Sequence, residues 1–217
     1  MRAFKSTSLA DQVFDKLEND IIQGVYAKGE ILTELRLAEQ LGVSRTPIRE
    51  ALRRLEHERL IEDTGKGSLV LGITDNDLED IMSIRERTEG LAAYYATINM
   101  TDEGRKELSH IVDLQDFYYA KGDSEHLRQV DDEFHSLICR LSCRMVLVDT
   151  LIPLHRKTRR YRRIAMEDWA RATKTKGEHY EIYQAIVSGN AELAEELTTK
   201  HIMNARLHMM KEMQFNG

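Results

Sequence analysis

The chain has 217 residues, 41% of them hydrophobic, and a formal net charge of −6 at neutral pH. This length allows one large domain or two small ones, and the acidic balance excludes a chain covered all over by nucleic acid while allowing a local basic site. Two cysteines are too few for a disulfide scaffold and no apolar run is long enough for a membrane span, so we expect a cytoplasmic protein without a membrane segment.

The first predicted elements are two helices. Residues 9–23 form an amphipathic helix with Val13, Leu17 and Ile21 on its buried face. A shorter helix follows between Thr33, a good N-cap, and Gly42, which ends it.

The segment LGVSRTPIREALRRLE, residues 41–56, carries four arginines in an otherwise acidic chain. Its aliphatic residues share one helical face, Ser44 is a good N-cap and Pro47 fits the first turn. Two helices joined by a glycine-containing turn are typical of a helix-turn-helix, whose second helix presents its first residues to the major groove. Arginine pairs there with guanine, and hydroxyls reach phosphates or bases. A solvated basic face is the alternative, but turn, cap and arginine placement together favour DNA recognition.

A β-hairpin is predicted directly after this helix. Residues 60–63 and 68–73 are short β-prone runs around the glycine-rich turn 64–67. A hairpin in this place is typical of a wing, with Lys66 at its tip contacting phosphate or the minor groove. The alternative for Lys66 is a solubilising turn residue.

This N-terminal unit resembles the GntR family of bacterial transcription regulators. The resemblance rests on IIQGVYAKGEILTELRLAEQLGVSRTPIREALRRLEHERLIE, residues 21–62, and on the Gly-Lys-Gly turn that follows. It implies that Arg45, Thr46 and Arg49 read bases or phosphates, and that Lys66 and Gly67 serve the wing.

Two departures from the family pattern concern the same unit. Lys28-Gly29 replaces the usual Pro-Gly in a connector, and Leu35 stands where some relatives have a DNA-contacting arginine. We assign that contact to the neighbouring Arg36, and we add the hydroxyl of Ser44 to the expected DNA interface. Because basic charge is concentrated on one helix, each copy meets few phosphates. We therefore expect a homodimer on double-stranded operator DNA.

A domain boundary is predicted at Thr74, which precedes an acidic helix start. The expected domains are a winged helix-turn-helix over residues 1–74 and an all-α six-helix bundle over 75–217, so the fold class is mainly α. The six helices are predicted at about 75–98, 101–121, 123–141, 144–166, 168–188 and 191–214.

Inward-facing polar residues in this bundle suggest a metal site. Asp131 and His135 lie one helical turn apart at the border of an apolar face, while His179 and His201 lie on the apolar faces of two other helices. Neutral imidazoles with a carboxylate suit a divalent transition metal such as zinc, nickel, iron or manganese. From the residues alone, satisfied core histidines remain an equal alternative.

The bundle also resembles a known domain. The pattern D..FH from Asp131 to His135, then EH..I..AI..GN from residue 178, then His201, is similar to the FCD ligand-binding domain of the FadR subfamily, and the shorter six-helix form resembles its VanR-like branch. The resemblance implies that Asp131, His135, His179 and His201 hold a divalent metal, with zinc the first candidate.

The same resemblance implies a small organic or sugar acid as effector. Arg85, in SIRERTEGLAAYYA, occupies the place of a pocket-facing arginine that clamps a carboxylate. A helix-surface ion pair with Glu89 at i+4 is the alternative. The basic run 155–163 is interpreted as a bundle helix with a solvated side and some arginines in the cavity, rather than as a nucleic-acid patch.

These elements predict a ligand-responsive transcription regulator, expected to be a repressor and not an enzyme. The alternatives are a metal-dependent enzyme, in which Asp131 and the three histidines activate water at the metal, and a dedicated metal sensor. The bundle offers no clear additional base or nucleophile, and a winged module has no role in an enzyme.

Overall fold

The computed structural model describes residues 8–216, excepting the side chains of 163–165 and 212–216. The chain divides after Thr74 into two compact units, called here the DNA unit (residues 1–74) and the helical unit (residues 75–217). Within the described range, no helix is long and apolar enough to cross a membrane. The elements of the DNA unit are α1 (Leu9–Gln23), β1 (Ile31–Leu32), α2 (Glu34–Leu41), α3 (Arg45–His57), β2 (Ile61–Asp63) and β3 (Ser68–Val70).

Local capping explains the helix bounds of the DNA unit. The backbone N–H of Arg36 donates to Oγ1 of Thr33 at the start of α2, and Gly42 ends that helix in the left-handed conformation at φ 66°. The predicted bounds of α1 and α2 are therefore confirmed. Ser44 does occupy the N-cap position of α3, but its side chain makes no capping hydrogen bond, contrary to the predicted role.

The core of the DNA unit lies between α1, α2, α3 and the sheet. Leu17, Leu37, Ile48 and Leu55 are fully buried there. Each side chain of this size stabilises the fold by about 1.5–3 kcal/mol on burial. The unit therefore has a hydrophobic core of its own.

The wing belongs to a three-stranded antiparallel sheet of order β1-β3-β2. Strand β1 was not predicted, because two residues cannot display an alternating pattern. Gly67 makes this pairing possible: its φ is +145°, and a Cβ atom there would lie 2.7 Å from the carbonyl oxygen of Leu32 and from Cγ2 of Ile31. The wing strands are shorter than the predicted runs 60–63 and 68–73.

The helical unit is an all-α bundle, which confirms the predicted fold class. Its described part has seven helices rather than the predicted six, because the expected helix 144–166 is divided in two at Thr158. The helices are α4 (Asp75–Ile98), α5 (Asp102–Lys121), α6 (Ser124–Leu141), α7 (Met145–Lys157), α8 (Arg159–Glu167), α9 (Trp169–Val187) and α10 (Ala191–Asn216).

The break at Thr158 has a physical cause. Its hydroxyl donates to the carbonyl oxygens of Leu154 and His155 and accepts a hydrogen bond of 3.0 Å from Nη1 of Arg85. A side chain bonded to the preceding turn competes with the helical backbone ladder and bends the helix. The turn from α7 into α8 places His155 and Arg162 of the basic run in the interior of the bundle, whereas Arg160 is exposed.

Close packing of α4 against α10 forms one side of this interior. Gly90 permits the approach, since a Cβ atom there would lie 2.8 Å from the carbonyl oxygen of Glu195 and 2.3 Å from Oγ1 of Thr199. Phe134, Leu137 and Ile182 belong to the buried core between α5, α6 and α9. The inward faces of α6, α9 and α10 carry the candidate metal ligands.

Candidate functional site

The start of α3 presents a basic surface. Arg45, Thr46 and Arg49 are exposed, whereas Ile48 and Leu52 on the opposite side of the helix are buried in the core. The apolar face fixes the orientation of the helix and leaves the guanidinium groups accessible to a large polyanion. This is the placement that major-groove reading requires.

One carboxylate holds both arginines. Oε2 of Glu34, at the start of α2, accepts hydrogen bonds from Nη2 of Arg45 at 2.7 Å and from Nη2 of Arg49 at 3.0 Å. Nε of Arg49 donates to Oε1 at 2.9 Å. The hydrogen bonds from Arg49 and then Arg45 lower the pKa of Glu34 to about 2. The two helices of the helix-turn-helix are thereby linked at their exposed ends.

The remaining predicted DNA contacts are also at the surface of the DNA unit, with one exception. Arg36 is exposed and pairs with Glu30 at 2.9 Å, Lys66 is exposed at the wing tip, and Ser44 is exposed. Gly67 is half-buried against β1, so its position is explained by packing within the sheet.

The helical unit brings three of the four predicted metal ligands together. Nε2 of His201 lies 3.2 Å from Nε2 of His179 and 3.3 Å from Nε2 of His135. All three side chains, called here the histidine cluster, are buried. They come from α9, α10 and α6, so a group bound between them would connect three helices.

The fourth predicted ligand, Asp131, lies at the edge of the histidine cluster. Its Oδ1 is 3.7 Å from Nε2 of His179, and its Oδ2 is 3.4 Å from Nε of Arg162. The three histidines alone offer ligand atoms that all lie within 4.8 Å of one another among the described residues. Burial raises the pKa of Asp131 although Arg162 opposes this effect.

The outer ring nitrogens of the cluster have polar partners. Nδ1 of His135 is 2.9 Å from Oε2 of Glu89, and Nδ1 of His201 is 2.7 Å from Oε2 of Glu178. Because a carboxylate accepts the Nδ1–H proton, the lone pair of Nε2 in each ring points toward the centre. This is the tautomer that a metal ligand needs.

His179 has an amide partner instead. Nδ1 of His179 lies 2.8 Å from Nε2 of Gln115. An amide nitrogen donates, so this arrangement places the ring proton on Nε2, the wrong tautomer for ligation. Rotation of the amide by 180° puts its oxygen in the same place and frees the Nε2 lone pair. Gln115 therefore accommodates His179 in both states.

Burial keeps the imidazoles of His135 and His179 neutral. Desolvation holds the pKa of His135 and His179 well below the usual value, although Glu89 partly opposes it for His135. Neutral imidazole is the form that ligates metal.

The cluster geometry fits a transition metal. Two nitrogen ligands at about 2.0–2.1 Å from a tetrahedral zinc ion are about 3.3–3.4 Å apart, close to the separations found here. The nitrogen-only inner set suits zinc, nickel or iron better than magnesium or calcium, which prefer oxygen. His135, His179 and His201 would hold the ion, with Asp131 beside them.

Arg85 and Glu89 are both buried. The alternative of an ion pair on the helix surface is therefore wrong about the location of the pair. Nε of Arg85 donates to Oε1 of Glu89 at 2.5 Å. The same carboxylate contacts His135 and, at 2.9 Å, Nε2 of His155. Burial would raise the pKa of Glu89, but Arg85 and both histidines hold it well below its usual value.

A cavity of about 60 Å³ lies beside the histidine cluster. Its wall includes His135 and His201, together with Asp131. Three buried arginines from different helices also line it, namely Arg85, Arg162 and Arg171. A cavity lined by the histidine cluster and by several cationic side chains is suited to a small anion.

Several of these residues were not identified from the sequence. Gln115 and Glu178 orient ring nitrogens across helix boundaries, and only Glu178 had a visible signal, its place beside His179 in the EH motif. Arg162 lies within the basic run 155–163, for which the sequence predicted a solvated side and some cavity-lining arginines without naming them. Glu89 was considered only as a partner of Arg85.

A winged helix-turn-helix followed by a helical unit with a polar cavity defines a class of ligand-regulated transcription regulators. Residues 9–70 match the family described as bacterial regulatory proteins, gntR family, and residues 80–204 match the FCD domain. The chain belongs to the GntR family of transcription regulators, and its FCD domain fits the FadR subfamily, as the sequence resemblance indicated.

Several similar proteins are named transcription regulators. The chain is 30% identical over 204 residues to the HTH-type transcriptional regulator McbR of Escherichia coli strain K12, covering 94% of this chain and 84% of McbR. It is 32% identical over 125 residues to the gluconate operon transcriptional repressor of Bacillus licheniformis, covering 58% of this chain and 51% of that protein. The solved structure of E. coli McbR/YncC aligns with 94% of this chain and 98% of that chain at a TM-score of 0.79 and 24% identity, which shows a shared fold.

Proposed function

We propose that this chain is a transcriptional repressor whose helical unit binds a divalent transition metal, zinc first, and a small organic or sugar acid. The observation that carries the proposal is the convergence of three buried Nε2 atoms, two of them with Nδ1 facing a carboxylate. The relative named as repressor of a gluconate operon supports the choice of repressor and of an acid as the signal.

The operator-binding surface in this proposal is the exposed start of α3. Arg45 and Arg49 read base edges from the positions in which Glu34 holds them, and Thr46 and Ser44 contact the backbone. Arg36 and Lys66 add phosphate contacts on either side. Sequence preference would then depend on the arginines, and the lysine would contribute affinity without selectivity.

A two-fold homodimer is part of the same proposal. Ile84, Leu91 and Ile98 on α4 are exposed by 43%, 36% and 57%, and their spacing of seven residues places them on one helix face. An apolar stripe of this kind supports self-association. A dimer would present two recognition helices to two half-sites, which a near-neutral DNA unit needs for affinity.

The effector would bind at the junction of the histidine cluster and the cavity. A bound metal supplies a Lewis-acid position for a carboxylate oxygen. Arg85 lines the cavity and is fixed by Glu89 and Thr158, so it can face the acid without moving. The effector can change DNA binding only if it favours one arrangement of the dimer, typically by about 1–3 kcal/mol.

The test uses the full chain with DNA from the promoters of its own and adjacent genes. Metal content is measured by elemental analysis, and DNA affinity by fluorescence anisotropy before and after chelation, with and without gluconate and related acids. We expect one transition metal per chain and release of DNA only when metal and acid are both present. A chain without stoichiometric metal would contradict the metal centre, and release by chelation alone would favour a metal sensor.

A further inference from the structure

The cavity extends from the histidine cluster in one direction. Thr175 lies one turn before His179 on α9, and His208 lies two turns after His201 on α10. Because α9 and α10 are consecutive helices packed against each other across a short turn, both displacements point away from that turn. At 1.5 Å per residue, Thr175 and His208 lie about 6 Å and about 10 Å along the helices from the cluster.

Three polar atoms of the cavity wall have no hydrogen-bond partner among the described residues. They are Oγ1 of Thr175, Nη2 of Arg162 and Nε2 of His208. Thr175 and Arg162 are only 4% and 8% exposed. The nearest carboxylate oxygen to Nε2 of His208 belongs to Asp168 at 3.8 Å, beyond hydrogen-bond distance.

Arg162 has one side of its guanidinium occupied already. Its Nη1 donates to Asp132 and its Nε faces Asp131 at 3.4 Å. Nη2 is the nitrogen that remains. Buried donors without partners are rare in folded proteins because they lose their hydrogen bonds to water, and a group of them on one cavity wall indicates an absent acceptor.

The cavity wall also has an apolar part. Met82, Ile202, Ala205 and Met209 line the same cavity. A ligand that fits would therefore have a metal-binding head, an aliphatic middle and a second acceptor group. An axial separation of about 6–10 Å, less about 2 Å for a metal–oxygen bond at one end and about 3 Å for a hydrogen bond at the other, leaves about 1–5 Å between the two bound oxygen atoms. That distance suits a chain of about three or four carbons.

We propose that Arg162, Thr175 and His208 form a second anion subsite, and that the effector is a straight-chain dicarboxylate of about three or four carbons. This inference rests on the proposed metal-centred function and narrows its effector class. One carboxylate occupies the metal end beside Arg85, and the other accepts hydrogen bonds from Nη2 of Arg162 and Oγ1 of Thr175. A monocarboxylate of equal length leaves these donors unpaired.

Calorimetry on the zinc-loaded full chain tests the subsite, with malonate and succinate compared with propionate and butyrate. We expect at least one dicarboxylate to bind about tenfold or more tightly than the monocarboxylate of the same length. Thr175→Val, which keeps the side-chain shape, should weaken the binding of that dicarboxylate about fivefold and leave the affinity for the monocarboxylate unchanged.

Thr198→Val is the matched control. Thr198 is equally buried on α10 and its Oγ1 also lacks a partner in the described structure, but it lines a different, smaller cavity. His208→Phe removes the third polar group at similar volume and should act in the same direction as Thr175→Val. Thermal unfolding of each variant verifies that the fold is retained.

Equal binding of dicarboxylates and monocarboxylates, no binding of either, or equal effects of the Thr175 and Thr198 variants would overturn the subsite. Zinc content and promoter binding are measured on the same preparations. If those remain normal while the acids fail to discriminate, only the subsite is wrong. A chain that holds no stoichiometric metal would refute the proposed function and the subsite with it.

Discussion

Nε2 of His179 lies 3.2 Å from Nε2 of His201, with both rings buried and their other nitrogens in contact with Gln115 and Glu178. Two imidazoles in this arrangement share at most one hydrogen bond, and Nε2 of the third ring, His135, is 3.3 Å from Nε2 of His201 as well. A cation between them would satisfy all three nitrogens at once. Such a cation would connect α6, α9 and α10.

Loss of one histidine should abolish metal binding without affecting DNA binding. His179→Ala removes a ligand from the centre, and the DNA unit has its own core, so we expect zinc content to fall to background while promoter affinity without effector stays unchanged. Elemental analysis and anisotropy measure the two properties. His110→Ala, an exposed histidine on α5, is the control and should retain zinc.

Gln115 should control metal affinity without contacting the metal. Gln115→Leu removes the group that orients His179, and we expect zinc affinity to fall about 10- to 100-fold. Gln115→Glu retains an acceptor for Nδ1–H and should preserve most of the affinity. Competition with a chromogenic chelator measures both variants. Equal zinc affinity of the leucine variant and the wild type would show that packing alone orients the ring.

The sequence predicted what depends on local chemistry. The bounds of α2 depend only on Thr33 and Gly42, the residues next to its two ends. The spacing of the apolar residues correctly predicted that all three histidines lie on inward helix faces. Contacts that were missed join distant segments. Strand β1 depends on pairing with β3, and the division of α7 from α8 involves Thr158 and Arg85, 73 residues apart.

The outer partners of the histidines were missed for the same reason. Whether Gln115 meets His179 depends on how α5 packs against α9, which no local pattern encodes. The alternative for Arg85 named the right partner, Glu89, but spacing alone cannot tell a surface pair from one that is buried. Burial of that pair depends on α7 and α10, which cover α4.

Arg49 on α3 and Lys66 at the wing tip should differ in their effect on sequence selectivity. Arg49→Ala should weaken binding to the cognate promoter about tenfold to hundredfold and reduce its preference over scrambled DNA. Lys66→Ala should weaken binding to both DNAs equally and reduce the salt dependence of the affinity. Anisotropy titrations at several salt concentrations separate the two behaviours. If the Arg49 variant kept its preference for cognate over scrambled DNA, α3 would not be the helix that reads the bases.

Glu34→Gln tests whether the shared carboxylate positions the arginines. The substitution removes the negative charge of Glu34, so Arg45 and Arg49 lose their common ion-pair partner. It also removes the repulsion between this carboxylate and the DNA phosphates. We expect tighter binding to scrambled DNA and a smaller ratio of cognate to scrambled affinity. If the affinity ratio stayed the same, the ion pairs seen in the free protein would have no part in recognition.

Gly67 should be needed for the stability of the wing. Gly67→Ala places a Cβ atom against the main chain of Leu32 at an unfavourable φ, so we expect a loss of about 2–3 kcal/mol in unfolding free energy. Gly65→Ala is the control: its φ of +73° is also left-handed, but no atom lies within 4 Å of the added carbon, and about 1 kcal/mol should be lost. Urea unfolding measures both, and equal losses would contradict the packing explanation.

The α4 stripe should hold the dimer together. Leu91 is its central residue, and Leu91→Lys would place two charges opposite each other across a two-fold axis. We expect this variant to be monomeric by light scattering at micromolar concentration and to bind its promoter more weakly, because each copy then meets a half-site alone. Phe117→Lys on α5 introduces the same charge at a 49% exposed apolar residue away from the stripe and should remain dimeric. A Leu91 variant that stays dimeric, or a wild-type chain that is monomeric on and off DNA, would exclude this face as the interface.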